Sequence, residues 1–391
     1  MEKWSRYALC KAAHLAIAGI LAGASLNSQT SQAAAGQPIV SGGTVKTATG
    51  QLLRGCHAHI GRQMTTEIRS FFTSMSNVTK LRDQAHLNVI RIAVMTPGWG
   101  GFTDINEGAP YVDQIVANCE AAGIYAIINY HGPWIYDDVS SMDIRKFWDF
   151  YAARYKDKPF VIYELMNETY QGAPPTGTAN DWPTAQNVDI YKNHVRKFAP
   201  NNVVMGLLEP VNITANYGPF MRDVVGPACG INWSAGKDAF SFHVYGGTAD
   251  NILATRNAGI PVVCSEFSFA GEGWTQLQLG GYAMPSEWCE RNGVSWMVWQ
   301  QWQSREPDQL KSVMNYLIPD ATSKKYAWWT SSATVPETHG FASVQPTDFV
   351  SHAATMIRPN GQVIRTGISG FGIDVLPRSI MSRNSNAHAI R

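Results

Sequence analysis

The sequence lacks an excess of charge, closely spaced cysteines and a glycine-rich phosphate loop, and each absence excludes a class of function. Net charge is only +1 and 16% of residues are charged, so no electrostatic field favours nucleic acid or an acidic membrane. No cysteine pair has the C-x-x-C spacing of zinc or redox motifs. No apolar run is followed by the glycine-rich loop that dinucleotide-binding folds carry. We therefore expect no metal, no cofactor and no nucleic-acid partner.

The sequence also lacks a long hydrophobic run, apart from one near the N-terminus. Lys3, Arg6 and Lys11 precede an apolar run of about 15 residues at 12–26, short of the ~20 that span a bilayer. Three alanines at 33–35 offer a cleavage site, as in a secretory signal. We expect a signal peptide over residues 1–35 and a protein secreted to the extracellular or periplasmic space, with no membrane contact after cleavage. An uncleaved anchor is the alternative.

Five cysteines would remain after removal of the signal. They are Cys56, Cys119, Cys229, Cys264 and Cys289. Export permits disulfides, but the sequence leaves their pairing open.

From residue 51 to about 330, short apolar runs alternate with segments of helical spacing. The runs are continuous and rich in Val, Ile and aromatic residues, as in parallel strands that are buried on both faces. They lie at residues 52–56, 89–94, 124–129, 160–166, 203–208, 239–245, 261–266 and 294–299. Gly123, Gly259 and Gly293 end three helical segments as expected of C-caps. Eight such units predict an α/β fold, a (β/α)8 TIM barrel. A doubly wound open sheet is the alternative.

Two segments flank this repeating pattern. Residues 36–50 are rich in Gly, Ser, Thr and Gln, and we expect a poorly ordered lead-in. Residues 331–391 interrupt the alternation and are interpreted as a short C-terminal appendage of unknown role.

Polar residues collect at the ends of the predicted strands, where a barrel of this kind builds its active site. Six of the eight strands carry them: Arg91, Asn129, His131, Asn167, Glu168, His243, Tyr245, Glu266 and Trp299. Glu168 and Glu266 lie three βα units apart, so they should face each other across one mouth. Hydrolysis of a glycosidic bond needs such a pair, because one carboxylic acid protonates the leaving oxygen while one carboxylate attacks the anomeric carbon or activates water.

Other polar residues near the strand ends have simpler interpretations. Glu164 lies inside the fourth strand and is interpreted as a structural carboxylate paired with Arg91 or another cation. His57 and His59 resemble a metal pair, but no carboxylate cluster accompanies them, so hydrogen bonding to substrate at the rim is preferred. Asn167 matches the N-x-S/T glycosylation pattern, but an acceptor at a deep strand end would be hard to reach, and the match is interpreted as chance.

The segment VIYELMNE, residues 161–168, resembles the signature of glycoside hydrolase family 5, the cellulase family A. This family belongs to a clan of retaining (β/α)8 glycosidases with the acid/base on strand four and the nucleophile on strand seven. The likeness runs from about residue 52 to 302, and it makes residues 51–330 the glycosidase catalytic domain. It implies Glu168 as the general acid/base and Glu266 as the nucleophile. Thr169 departs from the family, in which Pro usually follows Asn-Glu.

The resemblance also implies a set of substrate-binding residues. These are Arg91, His131, Asn167, His243, Tyr245 and Trp299. Arg91 and Tyr245 would hold Glu266 ionised and oriented, since a nearby Arg favours a charged carboxylate. Asn167 would bind the sugar 2-hydroxyl. The two histidines would contact the sugar and the acid/base, and Trp299 would stack under the sugar.

Aromatic residues follow several predicted strands and suit an extended sugar chain. They are Trp99, Trp134, Tyr136, Trp182, Trp274 and Trp302. We expect a monomeric, retaining endo-β-glycosidase that binds a β-linked polysaccharide or oligosaccharide, with an endo-β-1,4-glucanase favoured. A β-mannanase, another β-glucanase or a non-catalytic sugar-binding relative are the alternatives.

Overall fold

The main sheet consists of eight parallel strands arranged as a nearly closed barrel. The computed structural model describes residues 35–64, 66–83, 86–133, 135–169, 184–210, 213–244, 249–267 and 285–299. The barrel strands are β3 (Arg54–Ile60), β4 (Val89–Met95), β5 (Tyr125–His131), β6 (Val161–Glu164), β7 (Val204–Met205), β8 (Phe240–His243), β9 (Val262–Glu266) and β10 (Ser295–Val298). Their order is β7-β6-β5-β4-β3-β10-β9-β8, and every pairing is parallel. The prediction of a (β/α)8 barrel is therefore confirmed.

The two edges of this sheet meet through β7 and the segment that precedes β8. The backbone N–H of Val204 donates to the carbonyl of Lys237 at 3.0 Å, and Ala239 N–H donates to the carbonyl of Val204 at 3.0 Å. Val204 and Asp238 thereby form a parallel bridge. Such closure removes the exposed strand edges that an open sheet would leave.

Helices follow the strands and pack outside the sheet. Their bounds are α1 (Thr66–Phe71), α2 (Met75–Asp83), α3 (Ile105–Ala122), α4 (Ile144–Tyr155), α5 (Thr184–Asp189), α6 (Tyr217–Phe220), α7 (Gly226–Cys229), α8 (Ala249–Asn257) and α9 (Pro285–Arg291). Short 3₁₀ turns lie at Pro97–Trp99 and Trp233–Ala235, and π-helical turns at Ile190–Arg196 and Met221–Val225. Within the described ranges, no helix combines the length and the apolar character that crossing a bilayer requires.

The longest helix among the described residues is capped at both ends. The Asp104 carboxylate accepts a 2.7 Å hydrogen bond from the N–H of Asn106 and caps the start of α3. Gly123 ends it in the left-handed region at φ 68°, with its N–H directed at the last carbonyls. Gly259 and Gly293 take the same conformation after α8 and α9. The prediction of glycine C-caps is confirmed at all three positions.

A small hairpin corrects the expected disorder of residues 36–50. It consists of β1 (Ile39–Ser41) and β2 (Thr44–Lys46), paired antiparallel. The Thr44 hydroxyl donates to the carbonyl of Val262 at 2.7 Å and accepts from the N–H of Ser295 at 3.0 Å. These two residues begin β9 and β10, so the hairpin is fastened to the N-terminal end of the barrel. Local composition could not show this, because the bonds that order the segment come from residues more than 200 positions away.

The predicted signal peptide and the C-terminal appendage lie outside the described residues. The described residues contain no disulfide, and all five cysteines named above are buried. Burial of the barrel strands is nearly complete, since Arg54 is the one residue of β3 to β10 that is not fully buried. This agrees with the continuous apolar runs in the sequence.

The apolar run at 203–208 forms only the two-residue strand β7, and Gly206 is the reason. Gly206 has φ 78°, which turns the chain out of the sheet. A Cβ atom at this position would lie 2.7 Å from the backbone nitrogen of Leu165 and 2.8 Å from Cγ of Glu164. The position therefore needs glycine both for its backbone angle and for the close approach of the segment after β6.

We expect Gly206→Ala to lower the free energy of unfolding by roughly 2–4 kcal/mol, because overpacking adds to the cost of a left-handed non-glycine residue. Gly259→Ala is the matched control, since Gly259 also has a positive φ, of 88°, but nothing lies within 4 Å of its added Cβ. It should cost about 1 kcal/mol. Urea denaturation measures both, and equal losses in the two variants would contradict the packing argument.

Candidate active site

One buried guanidinium, that of Arg91 in the middle of β4, joins the ends of three other strands, β6, β7 and β9. Its side chain is fully buried. Nε donates to the Glu164 carboxylate, Nη2 donates to Oδ1 of Asn167 at 2.9 Å, and Nη1 donates to Oε2 of Glu266 at 3.0 Å. Nη2 also lies 3.7 Å from Oε2 of Glu209. The fork of donors that only Arg offers suits such a multiple contact. The interpretation of Glu164 as a partner of Arg91 is confirmed.

The two carboxylates singled out in the sequence lie together at the mouth of the barrel. Glu266 is the last residue of β9, and Glu168 lies four residues past the end of β6. An oxygen of each lies within 4.8 Å of the other and of a nitrogen of His243. The Glu168 side chain is 16% exposed and that of Glu266 only 6%. The backbone of Glu168 is left-handed, at φ 47°, a conformation that non-glycine residues adopt at a cost and that often marks functional sites.

His243, at the end of β8, lies between these carboxylates. Its Nδ1 is 2.9 Å from Oε1 of Glu168, and its Nε2 is 3.2 Å from Oε2 of Glu209 and 3.6 Å from Oε2 of Glu266. Burial would lower the pKa of His243, but Glu209, Glu266 and the bond to Glu168 together raise it well above its usual value. The ring is therefore an imidazolium at neutral pH.

Glu209 is a residue of this site that the sequence reasoning missed. It is fully buried beyond β7, and its Oε1 accepts a 2.5 Å hydrogen bond from the Ser265 hydroxyl. Burial would raise its pKa, but His243 and Arg91 hold the pKa well below the ordinary value, so it is ionised. The signal was present, because Glu209 directly follows the apolar run at 203–208, as Glu266 ends the run of its own strand.

Glu164 differs from Glu209 in its protonation. Burial raises its pKa to about 8; Arg91 opposes this and the negative charge of Glu209 adds to it. One proton is therefore shared between the two carboxyl groups and resides on Glu164 at neutral pH. The cations Arg91 and His243 are then balanced by the carboxylates of Glu209 and Glu266.

Three other histidines in the site are neutral. Burial and the charge of Arg91 lower the pKa of His57 and His131 well below the usual value, and that of His59 to about 3. His57 accepts from Arg91 Nη1 at 3.1 Å through Nδ1 and donates through Nε2 to the Ser265 carbonyl at 2.9 Å. Both of its nitrogens are thus engaged by the protein, which corrects the expectation that His57 binds substrate at the rim.

Trp299 lies beside all three of these histidines. Its ring centroid is 3.9 Å from that of His59 and 5.1 Å from that of His131, and it is nearly parallel to the His131 ring. His131 is oriented by Asn129, whose Oδ1 lies 2.8 Å from its Nδ1. Among the described residues, no hydrogen-bond partner reaches Nε2 of His131 or either nitrogen of His59. These nitrogens are buried next to the Trp299 ring.

The structure brings most of the predicted site residues into one cluster. The cluster contains Arg91, His131, Asn167, Glu168, His243, Glu266 and Trp299. Tyr245 lies outside the described residues, as do Trp134, Trp182, Trp274 and Trp302. Trp99 contacts the His131 ring at 5.4 Å between centroids and so borders the cluster. Tyr136 instead packs under the Arg145 guanidinium, 4.1 Å from its ring centroid.

Two further observations bear on ligands and modification. In the part of the chain that the structure describes, Glu168, His243 and Glu266 form the one group of potential ligands close enough to hold a metal ion. Asn167 is buried, with 3% of its surface exposed. This supports the interpretation that its glycosylation pattern arises by chance.

Known proteins resemble this chain in sequence and in fold. A family model described as cellulase (glycosyl hydrolase family 5) matches residues 52–305. Endoglucanase A of Evansella cellulosilytica is 25% identical over 240 residues, which cover 58% of this chain and 45% of that protein. An endoglucanase of Clostridium saccharobutylicum is 27% identical over 143 residues, 34% of this chain and 29% of that protein. The chain thus spans less than half the length of these curated relatives.

Solved structures share the fold at lower identity. Cellulase Cel5C_n superposes with a TM-score of 0.52 at 22% identity, covering 75% of this chain and 91% of that one. The catalytic domain of Thermobifida fusca endoglucanase Cel5A gives 0.52 at 18% identity, covering 75% and 95%. These similarities support the barrel architecture described above.

The shared proton makes a prediction for Glu164→Gln. The folded-state pKa of about 8 lies above the unfolded value of ~4.3, so the folded protein holds a proton that the unfolded chain loses over this interval. Wild-type stability should therefore fall as pH rises from about 5 to 8, by at most ~1.4 kcal/mol per pH unit. The variant carries a neutral amide at every pH. Its stability relative to wild type should rise with pH.

Urea denaturation across this pH range measures the effect. Glu107→Gln is the control, because it removes a partly exposed glutamate paired with the exposed Arg62. It should change stability by less than about 1 kcal/mol at any pH. Parallel pH profiles for wild type and Glu164→Gln would contradict the assignment of the proton.

Proposed function

The chain belongs to glycosyl hydrolase family 5, the cellulase family, and is a cellulase-like glycoside hydrolase, and on this premise we propose that it is a secreted endo-β-1,4-glucanase acting with retention of configuration. The two curated relatives are endoglucanases, which supports a β-glucan substrate. The basic and apolar N-terminal pattern supports export. We further propose that it acts as a monomer.

The observation that carries the proposed mechanism is the short distance between Glu168 and Glu266. Their closest oxygens lie within 4.8 Å. Retaining glycosidases place the two carboxyl groups about 5–5.5 Å apart, whereas inverting enzymes leave ~6.5–9.5 Å for a water molecule. This short distance agrees with the closer spacing of retaining enzymes. It supports direct attack by one carboxylate.

In the first step, the Glu266 carboxylate attacks the anomeric carbon while Glu168, as a carboxylic acid, gives its proton to the glycosidic oxygen. The bond to the leaving sugar breaks and a glycosyl ester forms on Glu266. In the second step, the Glu168 carboxylate takes a proton from water, and the hydroxide attacks the anomeric carbon. The ester breaks, Glu266 is a carboxylate again and Glu168 is protonated again.

The contacts of Arg91 support the roles proposed for its neighbours. Its 3.0 Å bond to Glu266 favours the ionised nucleophile and fixes its orientation. Its 2.9 Å bond to Oδ1 of Asn167 fixes that amide, so the amide nitrogen is the group left to donate to the sugar 2-hydroxyl. Glu266 and Asn167 act best if they do not move during the reaction, since preorganised contacts need no rearrangement in the transition state.

Trp299 and its neighbouring histidines support a sugar site beside the catalytic pair. Flat aromatic rings offer an apolar surface for the face of a pyranose. His59 and His131 are neutral and have nitrogens that no described protein group occupies. They would bond the hydroxyls at the ring edge without placing another charge near the reaction.

Replacement of the two glutamates should separate the steps. Glu168→Gln should lower cellulose hydrolysis by about 10²–10⁴-fold, because the leaving oxygen loses its acid. With a dinitrophenyl cellobioside, whose leaving group needs no proton, it should release a rapid burst and then turn over slowly for want of a base. Glu266→Gln should lose about 10⁴-fold or more on both substrates and show no burst. Glu107→Gln is the surface control. A burst in Glu266→Gln would overturn the assignment of the nucleophile.

Substrate and stereochemistry form a second test. Purified protein should release reducing sugar from carboxymethyl cellulose faster than from mannan or xylan, with an early fall in viscosity as internal bonds break. Proton NMR should show the β-anomer as the first product. A preference for mannan would favour the β-mannanase alternative, and an initial α-anomer would exclude retention. Binding of oligosaccharides without turnover would favour a sugar-binding relative.

A further inference from the structure

Glu209 has no role in the two-step mechanism, yet it is built into the site. It is fully buried on the side of His243 away from Glu168. Ser265 donates to one of its oxygens at 2.5 Å, and Arg91 and His243 lie 3.7 Å and 3.2 Å from the other. A buried carboxylate costs free energy unless it is compensated in this way. Its charge therefore matters most for the residues it touches.

We propose that Glu209 is a positioning residue of the hydrolysis, which holds a proton on Nε2 of His243 and so leaves Nδ1 to exchange a proton with Glu168. The proposal rests on the assignment of Glu168 as the acid/base. Glu209 acts through His243 and does not touch the reacting atoms.

The surroundings of His243 support this division between its two nitrogens. The charged and titratable groups around the ring come from five elements: Arg91, His131, Glu168, Glu209 and Glu266. Nε2 faces the oxygens of two carboxylates, Glu209 and Glu266, whereas Nδ1 faces Glu168 at 2.9 Å. Two anions on one side keep that nitrogen protonated. The raised pKa of His243 agrees with this arrangement.

With Nε2 protonated, Nδ1 and Glu168 share one exchangeable proton. In the resting site this proton lies on the imidazolium, which donates to the Glu168 carboxylate. Its transfer to Glu168 leaves a neutral ring and gives the carboxyl group that supplies the proton to the glycosidic oxygen. When water later returns a proton to Glu168, the pair regains its starting state, so the proton count closes over the cycle.

Glu209 is needed because Glu266 loses its charge during the reaction. When Glu266 becomes a glycosyl ester, only Glu209 remains as an anion beside Nε2. Its charge is constant through both steps, since it forms no bond to substrate. Without the Glu209 charge, Nε2 could lose its proton while Glu266 is a glycosyl ester. The neutral ring would then carry its proton on Nδ1, the nitrogen that faces Glu168.

The pH profile of Glu209→Gln tests the proposal. The alkaline limb of kcat/KM reports loss of the exchangeable proton from the free enzyme. Removal of the Glu209 charge weakens the hold on that proton, so the limb should move to lower pH by roughly 1–2 units. A purely structural defect would lower kcat at every pH and leave the limb in place. That result would overturn the proposal.

Two variants control for local disturbance. Ser265→Ala removes the hydroxyl that contacts Glu209 but keeps the charge, so its limb should stay within about half a unit of wild type. Glu209→Asp keeps the charge on a shorter side chain, so its alkaline limb should return most of the way to the wild-type position. A limb in Ser265→Ala displaced as far as in Glu209→Gln would show that packing, not charge, sets the profile and would refute the inference.

A measurement on the wild-type protein does not depend on the folding of any variant. Nitrogen-15 NMR of His243 should show Nε2 protonated across the pH range of activity. An unprotonated Nε2 in that range would overturn the proposal. Absence of glycan hydrolysis by the wild type would instead refute the proposed function, so the two failures are distinguishable.

Discussion

The buried charge of Arg91 is the constraint on which the site depends. A guanidinium without water is tolerated only when anions and acceptors surround it closely. Here they come from the ends of β6, β7 and β9, at Glu164, Glu209 and Glu266. The strands cannot shift relative to one another without breaking these contacts. The geometry of the site therefore follows from the need to compensate a buried charge inside the barrel.

Much of the fold and part of the site could be predicted from the sequence. Continuous apolar runs indicated the parallel strands, and Gly123, Gly259 and Gly293 marked helix ends. Glu168 and Glu266 were recognisable because each follows an apolar run and a family signature surrounds Glu168. Glu209 also follows an apolar run, but no family signature surrounds it, and it was not singled out. The proton shared by Glu164 and Glu209 depends on a tertiary contact and has no local signal.

The four histidines of the site show how the same side chain obtains different charges. Burial and the charge of Arg91 keep His57, His59 and His131 neutral, although Glu209 acts in the opposite direction on His131. His243 is equally buried but faces three carboxylates, and it is charged. Position around the barrel therefore decides protonation. The neutral rings border the aromatic platform, and the charged ring borders the carboxylate pair.

The left-handed backbone of Glu168 explains why Thr169 can stand where the family usually has proline. A proline ring restricts the residue before it to extended conformations, with φ near −120°. Glu168 has φ 47°, outside that range. A chain with proline in place of Thr169 would have to present the carboxylate from an extended backbone. Thr169 thus leaves Glu168 without the covalent restraint that a following proline would impose, and noncovalent contacts such as that with His243 orient its carboxylate.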